Sequence, residues 1–101
     1  MKKYQVKISE FAYSDLKKAK KFYEKIDNNL GEYFYDSIVL DIKSLQYFAK
    51  IHKKEYGYYR LIAKRFPFSI YYKVKNDIVI VVAILDQRKN PIVNYTEIEN
   101  R

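Results

Sequence analysis

Hydrophobic and polar residues alternate along two stretches of the chain, and a period of two residues predicts β-strands. The first stretch, Tyr4–Ile8, is expected to turn its apolar positions inward. The second, Phe68–Lys75, alternates in the same way, which predicts one buried face and one polar, basic face. Ile78–Leu85 is apolar and β-branched without interruption, the pattern of a central strand that is covered on both faces.

Apolar residues recur every three or four positions between these strands, which predicts two helices. The first runs from Glu10 to Ile26 behind Ser9, whose hydroxyl can cap it, and the second from about Leu30 to Phe48. Their buried stripes are predicted to be Ala12, Leu16, Ala19, Tyr23 and Ile26 in the first helix, and Leu30, Phe34, Ile38, Ile42, Leu45 and Phe48 in the second. The short link between them makes an antiparallel hairpin.

The remaining segments complete a single domain over residues 1–101. Tyr58–Arg65 is predicted as a strand that ends before Pro67, because proline cannot donate to a sheet, and Asn76-Asp77 as a tight turn. Ile51–Gly57 has no clean period, and residues 91–101 are expected to form a partly ordered tail. The predicted fold is α+β with the order β-α-α-β-β-β, two layers in which the helical hairpin packs on one face of an antiparallel sheet.

The formal net charge of +8 favours a polyanionic partner such as nucleic acid or an acidic protein segment. The surplus is concentrated between Ala49 and Lys75, where Glu55 is the single acidic residue. The same stretch contains eight basic residues, Lys50, Lys53, Lys54, Arg60, Lys64, Arg65, Lys73 and Lys75. A general enrichment in lysine is the alternative explanation, but it does not account for the uneven distribution.

Several kinds of chemistry are excluded by composition. The chain has no cysteine and its single histidine is His52, so metal catalysis is not supported. A Ser-His-Asp triad would have to use His52, which lies in the segment without a clean period, and two glycines do not make a glycine-rich phosphate loop. We therefore expect no metal and no cofactor. No apolar run approaches the roughly 20 residues of a membrane span, and a cytoplasmic protein without membrane contact is expected.

Cations beside aromatic rings are the combination that binds single-stranded RNA, and we predict such a role for Lys53, Lys54, Lys64, Tyr71 and Lys73. RNA cleavage by a 2′-hydroxyl requires in-line placement, stabilisation of developing charge and proton transfer. Arginine and lysine can stabilise the charge without a metal. Asp86, a lysine of lowered pKa and Tyr95 are candidates for proton transfer. The alternative for each of these side chains is a purely structural role, either in the core or on the solvated surface.

An ordered set of segments resembles the RelE/ParE superfamily of toxins from type II toxin-antitoxin systems. The segments are Ser9-Glu10-Phe11-Ala12-Tyr13-Ser14-Asp15-Leu16, Leu30-Gly31-Glu32-Tyr33-Phe34, Tyr59-Arg60, Arg65 to Tyr72, Val79 to Leu85 and Arg88-Lys89-Asn90-Pro91. The resemblance implies a small basic bacterial toxin that is neutralised by an antitoxin whose chain wraps over it.

The superfamily divides by target: RelE-like members cut mRNA on the ribosome, whereas ParE-like members poison DNA gyrase. On the resemblance, the leading expectation is a ribosome-dependent, metal-independent mRNA endonuclease with Arg88, Arg60, Arg65 and Tyr95 as catalytic residues. Many relatives have a histidine near the position of Asp86. This departure leaves two alternatives open, a gyrase inhibitor without nuclease activity and a degenerate toxin that only binds its antitoxin.

Overall fold

The computed structural model describes residues 2–101, which form a five-stranded sheet and three helices. The strands are β1 (Gln5–Ile8), β2 (Lys54–Glu55), β3 (Tyr58–Ile62), β4 (Phe68–Lys75) and β5 (Ile78–Asp86). The helices are α1 (Glu10–Ile26), α2 (Asn28–Phe48) and α3 (Pro91–Glu99). The predicted α+β fold, with the helical hairpin on one face of the sheet, is confirmed.

The strand order is β1-β5-β4-β3-β2, and β5 lies between β1 and β4 as predicted for a central strand. β2, β3, β4 and β5 pair antiparallel in succession, but β1 pairs parallel to β5, with Gln5 opposite Ile78. The sheet is therefore mixed rather than wholly antiparallel. Alternation along β1 shows that it is a strand but says nothing about the direction of its neighbour, which is set by the long connection through α1 and α2.

Two segments without a clear period are ordered differently from the prediction. Within Ile51–Gly57, the short strand β2 forms a hairpin with β3, and Gly57 occupies the turn at a φ of +82°. Residues 91–101 contain α3 instead of a partly ordered tail. Pro91 stands in the first turn of α3, and the Asn90 side chain accepts a 2.9 Å hydrogen bond from the Ile92 amide.

The helical hairpin follows the predicted stripes except at its ends. Ser9 caps α1 by accepting from the Ala12 amide at 3.1 Å, and Asp27 caps α2 through the Asn29 amide at 2.7 Å. Ile26 and Phe48, the last residues of the two predicted stripes, are exposed. Each is the last residue of its helix, and the packing that buries the rest of the stripe does not extend to it.

The main core lies between the hairpin and the inner face of the sheet. Its fully buried members include Leu16, Phe34, Ile38, Leu45, Ile70, Tyr72, Val79, Val81 and Ile84. A smaller core lies on the outer face, where Ile98 of α3 packs against Tyr71, Ala83 and Leu85. α3 thus covers one half of the outer face, and this is why β5 is buried on both sides.

The free edge of β5 is closed by an ion pair. β1 ends opposite Val81, so the backbone of β5 beyond this point has no strand beside it. The Asp15 carboxylate accepts from the Ile84 amide at 2.9 Å, and Arg101 donates to the Val82 carbonyl at 3.1 Å. Asp15 and Arg101 also form a bidentate pair at 2.6 and 2.7 Å, which raises the pKa of Arg101. These contacts satisfy polar groups that an open edge would expose.

Gly31 is placed where α1 and α2 approach most closely. A Cβ atom at this position would meet the Cγ of Glu24 and lie 3.2 Å from both the Glu24 amide nitrogen and the Lys20 carbonyl oxygen. The two backbone contacts cannot be relieved by rotating a side chain. The glycine therefore sets the separation of the helices.

Substitution of Gly31→Ala should consequently destabilise the protein by about 1–3 kcal/mol, although alanine is the better helix former. Urea unfolding followed by circular dichroism measures the change. Asn29→Ala, at an exposed position of the same helix, is the control and should be close to neutral. An unchanged or increased stability for Gly31→Ala would contradict the proposed close packing.

His52 fixes the chain between α2 and β2. Its Nδ1 lies 2.6 Å from the Tyr72 hydroxyl, whose oxygen also accepts from the Lys50 amide at 3.1 Å. Because that oxygen is already an acceptor, its hydrogen is free to point at a neutral His52. Burial lowers the pKa of His52 below its ordinary value of 6.5.

A lowered pKa means that the unfolded chain binds a proton more readily than the folded chain does. The stabilisation from His52 is therefore complete above about pH 6.5 and is lost as the pH falls through the folded-state pKa. The urea midpoint should drop more between pH 7 and pH 5 for the wild type than for His52→Gln. Equal drops for the two proteins would contradict this role.

Candidate functional site

The chain leaves β5 through a tight turn in which Asp86 holds Arg88. The Asp86 carboxylate accepts from the Arg88 backbone amide at 2.8 Å, from Nε at 3.0 Å and from Nη2 at 2.8 Å. These hydrogen bonds lower the pKa of Asp86 and raise that of Arg88. Arg88 remains 58% exposed, so one side of its guanidinium still faces solvent.

A groove of about 620 Å³ lies beside this turn, between α1 and the end of β5. Its apolar lining comes from Phe11 and Phe22 of α1 and from Phe68 and Ile84 of the sheet. Its charged lining consists of Asp15, Lys18, Asp86, Arg88, Lys89, Glu97 and Arg101. An exposed apolar groove with charged groups on its walls is typical of a surface that binds another molecule.

Arg60 lies on β3 and points to the outer face of the sheet, since it is paired in register with Tyr71. Its Nε donates to the Ser69 hydroxyl at 2.7 Å, and its Nη1 forms a 3.0 Å ion pair with Glu55. Arg60 therefore carries a carboxylate partner, as Arg88 does.

Tyr71 is 2% exposed, because Tyr56 and the small core beneath α3 cover it. Its buried ring offers no open face for stacking on a base, and the nucleic-acid-binding role of Tyr71 stays a prediction. The alternation of β4 correctly assigned Tyr71 to the outer face. The burial of Tyr71 was not expected because α3, which covers that part of the face, was not predicted.

Tyr95 lies on α3 with its ring 5.3 Å from that of Tyr56. Its hydroxyl donates to Glu99 at 2.6 Å, a contact that raises the pKa of Tyr95. The contact moves the pKa of Tyr95 further from neutral pH, where its hydroxyl is protonated.

The other predicted site residues are spread over the molecule. Lys53 is exposed just before β2, and Lys73 is exposed on β4. The Lys54 ammonium lies 4.9 Å from the centre of the Tyr59 ring, on the inner face. Lys64 and Arg65 are exposed in the connection between β3 and β4, where the Lys64 amide donates to buried Asp41 at 3.2 Å. These lysines and arginines do not form one cluster.

The uncovered half of the outer face carries a different basic group. Lys7, Ile80 and Lys73 lie opposite one another across β1, β5 and β4, and Ile78 and Lys75 form the adjacent row. We call these five residues the outer basic face. The three lysines are exposed and form no ion pair within residues 2–101. Lys7 was not predicted, although the alternation of β1 assigned it to the polar face.

Neither a metal-binding group nor a membrane helix is found in the described part of the chain. No three His, Asp or Glu side chains among residues 2–101 are grouped so that they could hold a metal ion. None of the helices in this range combines the length and apolar character of a membrane span. His52 is bonded to Tyr72 and does not contact Arg88 or Arg60.

Comparison with known proteins adds a family and a structural relative. Residues 6–91 match the profile described as the ParE toxin of the type II toxin-antitoxin system, parDE. Eight solved chains match significantly, and one comes from a structure described as the chromosomal ParDE TA system from P. aeruginosa. It has 23% sequence identity and a TM-score of 0.72, and the match covers 80% of this chain and 92% of that chain. Curated protein sequences gave no significant match.

The structural match confirms the fold, and the profile spans β1 to the start of α3. The resemblance to the RelE/ParE superfamily is thereby confirmed, with ParE as the matching branch. The chain belongs to the ParE toxin family of type II toxin-antitoxin systems.

Proposed function

We propose that this toxin arrests growth in the cytoplasm by binding DNA gyrase, and that it does so without cleaving RNA. The contact between Asp86 and Arg88 carries the proposal, because it occupies the residues on which the expected RNA chemistry depends. Membership of the ParE family supports the same target, since ParE-like members of the superfamily poison gyrase. It also implies an antitoxin partner for this chain.

Cleavage by a 2′-hydroxyl needs one group that accepts a proton and another that donates one. Asp86 has its pKa lowered by Arg88, so it stays ionised and is a weak base. Tyr95 has its pKa raised by Glu99, so it stays protonated. Both pKa values are shifted away from neutral pH, which makes Asp86 a weaker base and Tyr95 a weaker acid and favours binding over acid-base catalysis.

The same features suit a binding surface. Arg88 is held in a fixed orientation by Asp86 and still exposes part of its guanidinium, next to the apolar groove. A pre-oriented arginine loses little conformational freedom on binding, and arginine is enriched among residues that dominate interfaces. Gyrase acts on DNA, and the three free lysines of the outer basic face could contact phosphates in that complex.

Ribosome-dependent mRNA cleavage is the second candidate. The observation that favours it is the group of tyrosines on the outer face, where Tyr56 contacts both Tyr71 and Tyr95 close to Arg60. An exposed ring beside a cation is a feature of RNA-binding surfaces. A toxin that has lost activity and only binds its antitoxin is the third possibility, and harmless overexpression would identify it.

A reaction containing purified toxin, gyrase and supercoiled DNA distinguishes the first two candidates. We expect cleaved DNA held by gyrase to accumulate with toxin concentration, while mRNA in a parallel translation reaction stays whole. The control is the same DNA without gyrase, which should remain uncut. Codon-phased mRNA cuts together with unaffected gyrase would contradict the proposal.

Arg88→Ala tests whether Arg88 binds or catalyses. As an interface contact, its loss should cost about 1–2 kcal/mol, which corresponds to a shift of about 5- to 30-fold in the toxin concentration needed to act on gyrase. The maximal effect should be recovered at high concentration. Lys21→Ala, at an exposed position of α1, is the control. A lowered maximum that no concentration restores would indicate a catalytic role.

A further inference from the structure

The outward side of α2 carries a second apolar stripe, opposite the one that enters the core. Tyr33, Leu40 and Tyr47 recur every seven residues and are 52%, 58% and 45% exposed. A spacing of seven residues brings each side chain back to nearly the same angular position, with a drift of about 20°. The three side chains therefore form one straight, solvent-facing row along the helix.

The charges beside this row are balanced about Leu40. Asp36 and Lys43 are exposed, and at about 100° per residue they lie on the same flank of the row, on either side of Leu40 along the helix. Neither forms an ion pair within residues 2–101. The opposite flank carries Ser44, which is half-buried, and Ser37, which is buried, so no large side chain there keeps a second helix at a distance.

We propose that this face of α2 binds a second copy of the chain, with the two α2 helices antiparallel about a two-fold axis at Leu40. The axis sets Leu40 against its own counterpart and Tyr33 against Tyr47 of the partner subunit. Asp36 then meets Lys43 of the partner subunit, and the symmetry repeats that ion pair on the other side. A surface that complements itself in both apolar and charged positions fits a second copy better than an unrelated protein.

Electrostatics favours the same face for self-association. Two copies with a charge of +8 repel each other over most of their surface. α2 is an exception, because its exposed charged residues are Glu32, Asp36 and Lys43, which carry no excess of positive charge. Two chains approach there with the least repulsion.

The proposed dimer is independent of gyrase binding. The groove beside Arg88 has no lining residue from α2, and the outer basic face lies on the side of the sheet away from α2, so two copies joined through α2 leave both free. The stripe has only three large side chains, which places the interface among the smaller specific ones, below about 1,200 Å². We therefore expect a weak dimer that forms in the micromolar range.

Sedimentation velocity of the purified chain, run from low to high micromolar concentration, tests the proposal. The wild type should shift from monomer to dimer. Leu40→Glu should weaken association at least tenfold, because the two glutamates would meet on the axis. Ile92→Glu, a similarly exposed position on α3, is the matched control and should leave association unchanged. Circular dichroism confirms that each variant is folded.

A charge exchange tests the antiparallel arrangement. Asp36→Lys or Lys43→Asp alone should weaken association by about tenfold, because each dimer exchanges two attractions for two repulsions. The double variant D36K/K43D should restore it. A wild type that stays monomeric, a Leu40→Glu variant that still dimerises, or a double variant as weak as the singles would overturn the proposal. Each result can be obtained without measuring toxicity, so it is separate from the gyrase assay.

Discussion

Burial of β5 on both faces is the constraint on which the rest of the structure depends. The helical hairpin covers the inner face of this strand, and Ile98 of α3 covers the outer face at Ala83 and Leu85. The strand that would cover its free edge is too short, and Asp15 and Arg101 take its place by bonding to the exposed backbone. Without these covers, an apolar strand of nine residues would present unpaired backbone groups to other chains.

The surfaces available for function are those that this arrangement leaves open. α3 covers only half of the outer face, so Lys7, Lys73 and Lys75 stay in solvent. The chain leaves β5 beside the groove, which places Arg88 where a partner can reach it. Because α2 contributes one side to the core, its opposite side with Leu40 is also exposed. The three surfaces are formed by different residues.

Strong periodicity was sufficient to predict the main elements. The bounds of α1 agree with the sequence prediction, and β4 and β5 agree to within a residue, because each buries many side chains at regular spacing. β2 has only two residues, and α3 buries few apolar side chains, so both depend on contacts that no local pattern reveals. The asparagine and proline at the start of α3 were nevertheless a recognisable helix-start signal. Because α3 was not predicted, the burial of Tyr71 beneath it was not predicted either.

The candidate site was less predictable because its chemistry depends on which side chains form ion pairs and hydrogen bonds with one another. The sequence identified Arg88, Arg60 and Tyr95, but it did not show that Asp86, Glu55 and Glu99 hold them. These carboxylates lie close to their partners along the chain, yet closeness in sequence does not determine which side chains meet. Lys7 was missed for a different reason. It joins Lys73 only through the parallel pairing of β1 with β5, which alternation cannot specify.

The central claim is that this toxin acts on gyrase through its surface and does not cleave RNA. Its most direct test is induction of the chain in growing cells, with DNA breaks and the 5′ ends of messages mapped in the same culture. We expect DNA breaks held by gyrase to rise as growth stops, while the message ends stay unchanged. New message ends in phase with codons, in cells whose DNA remains intact, would contradict the claim.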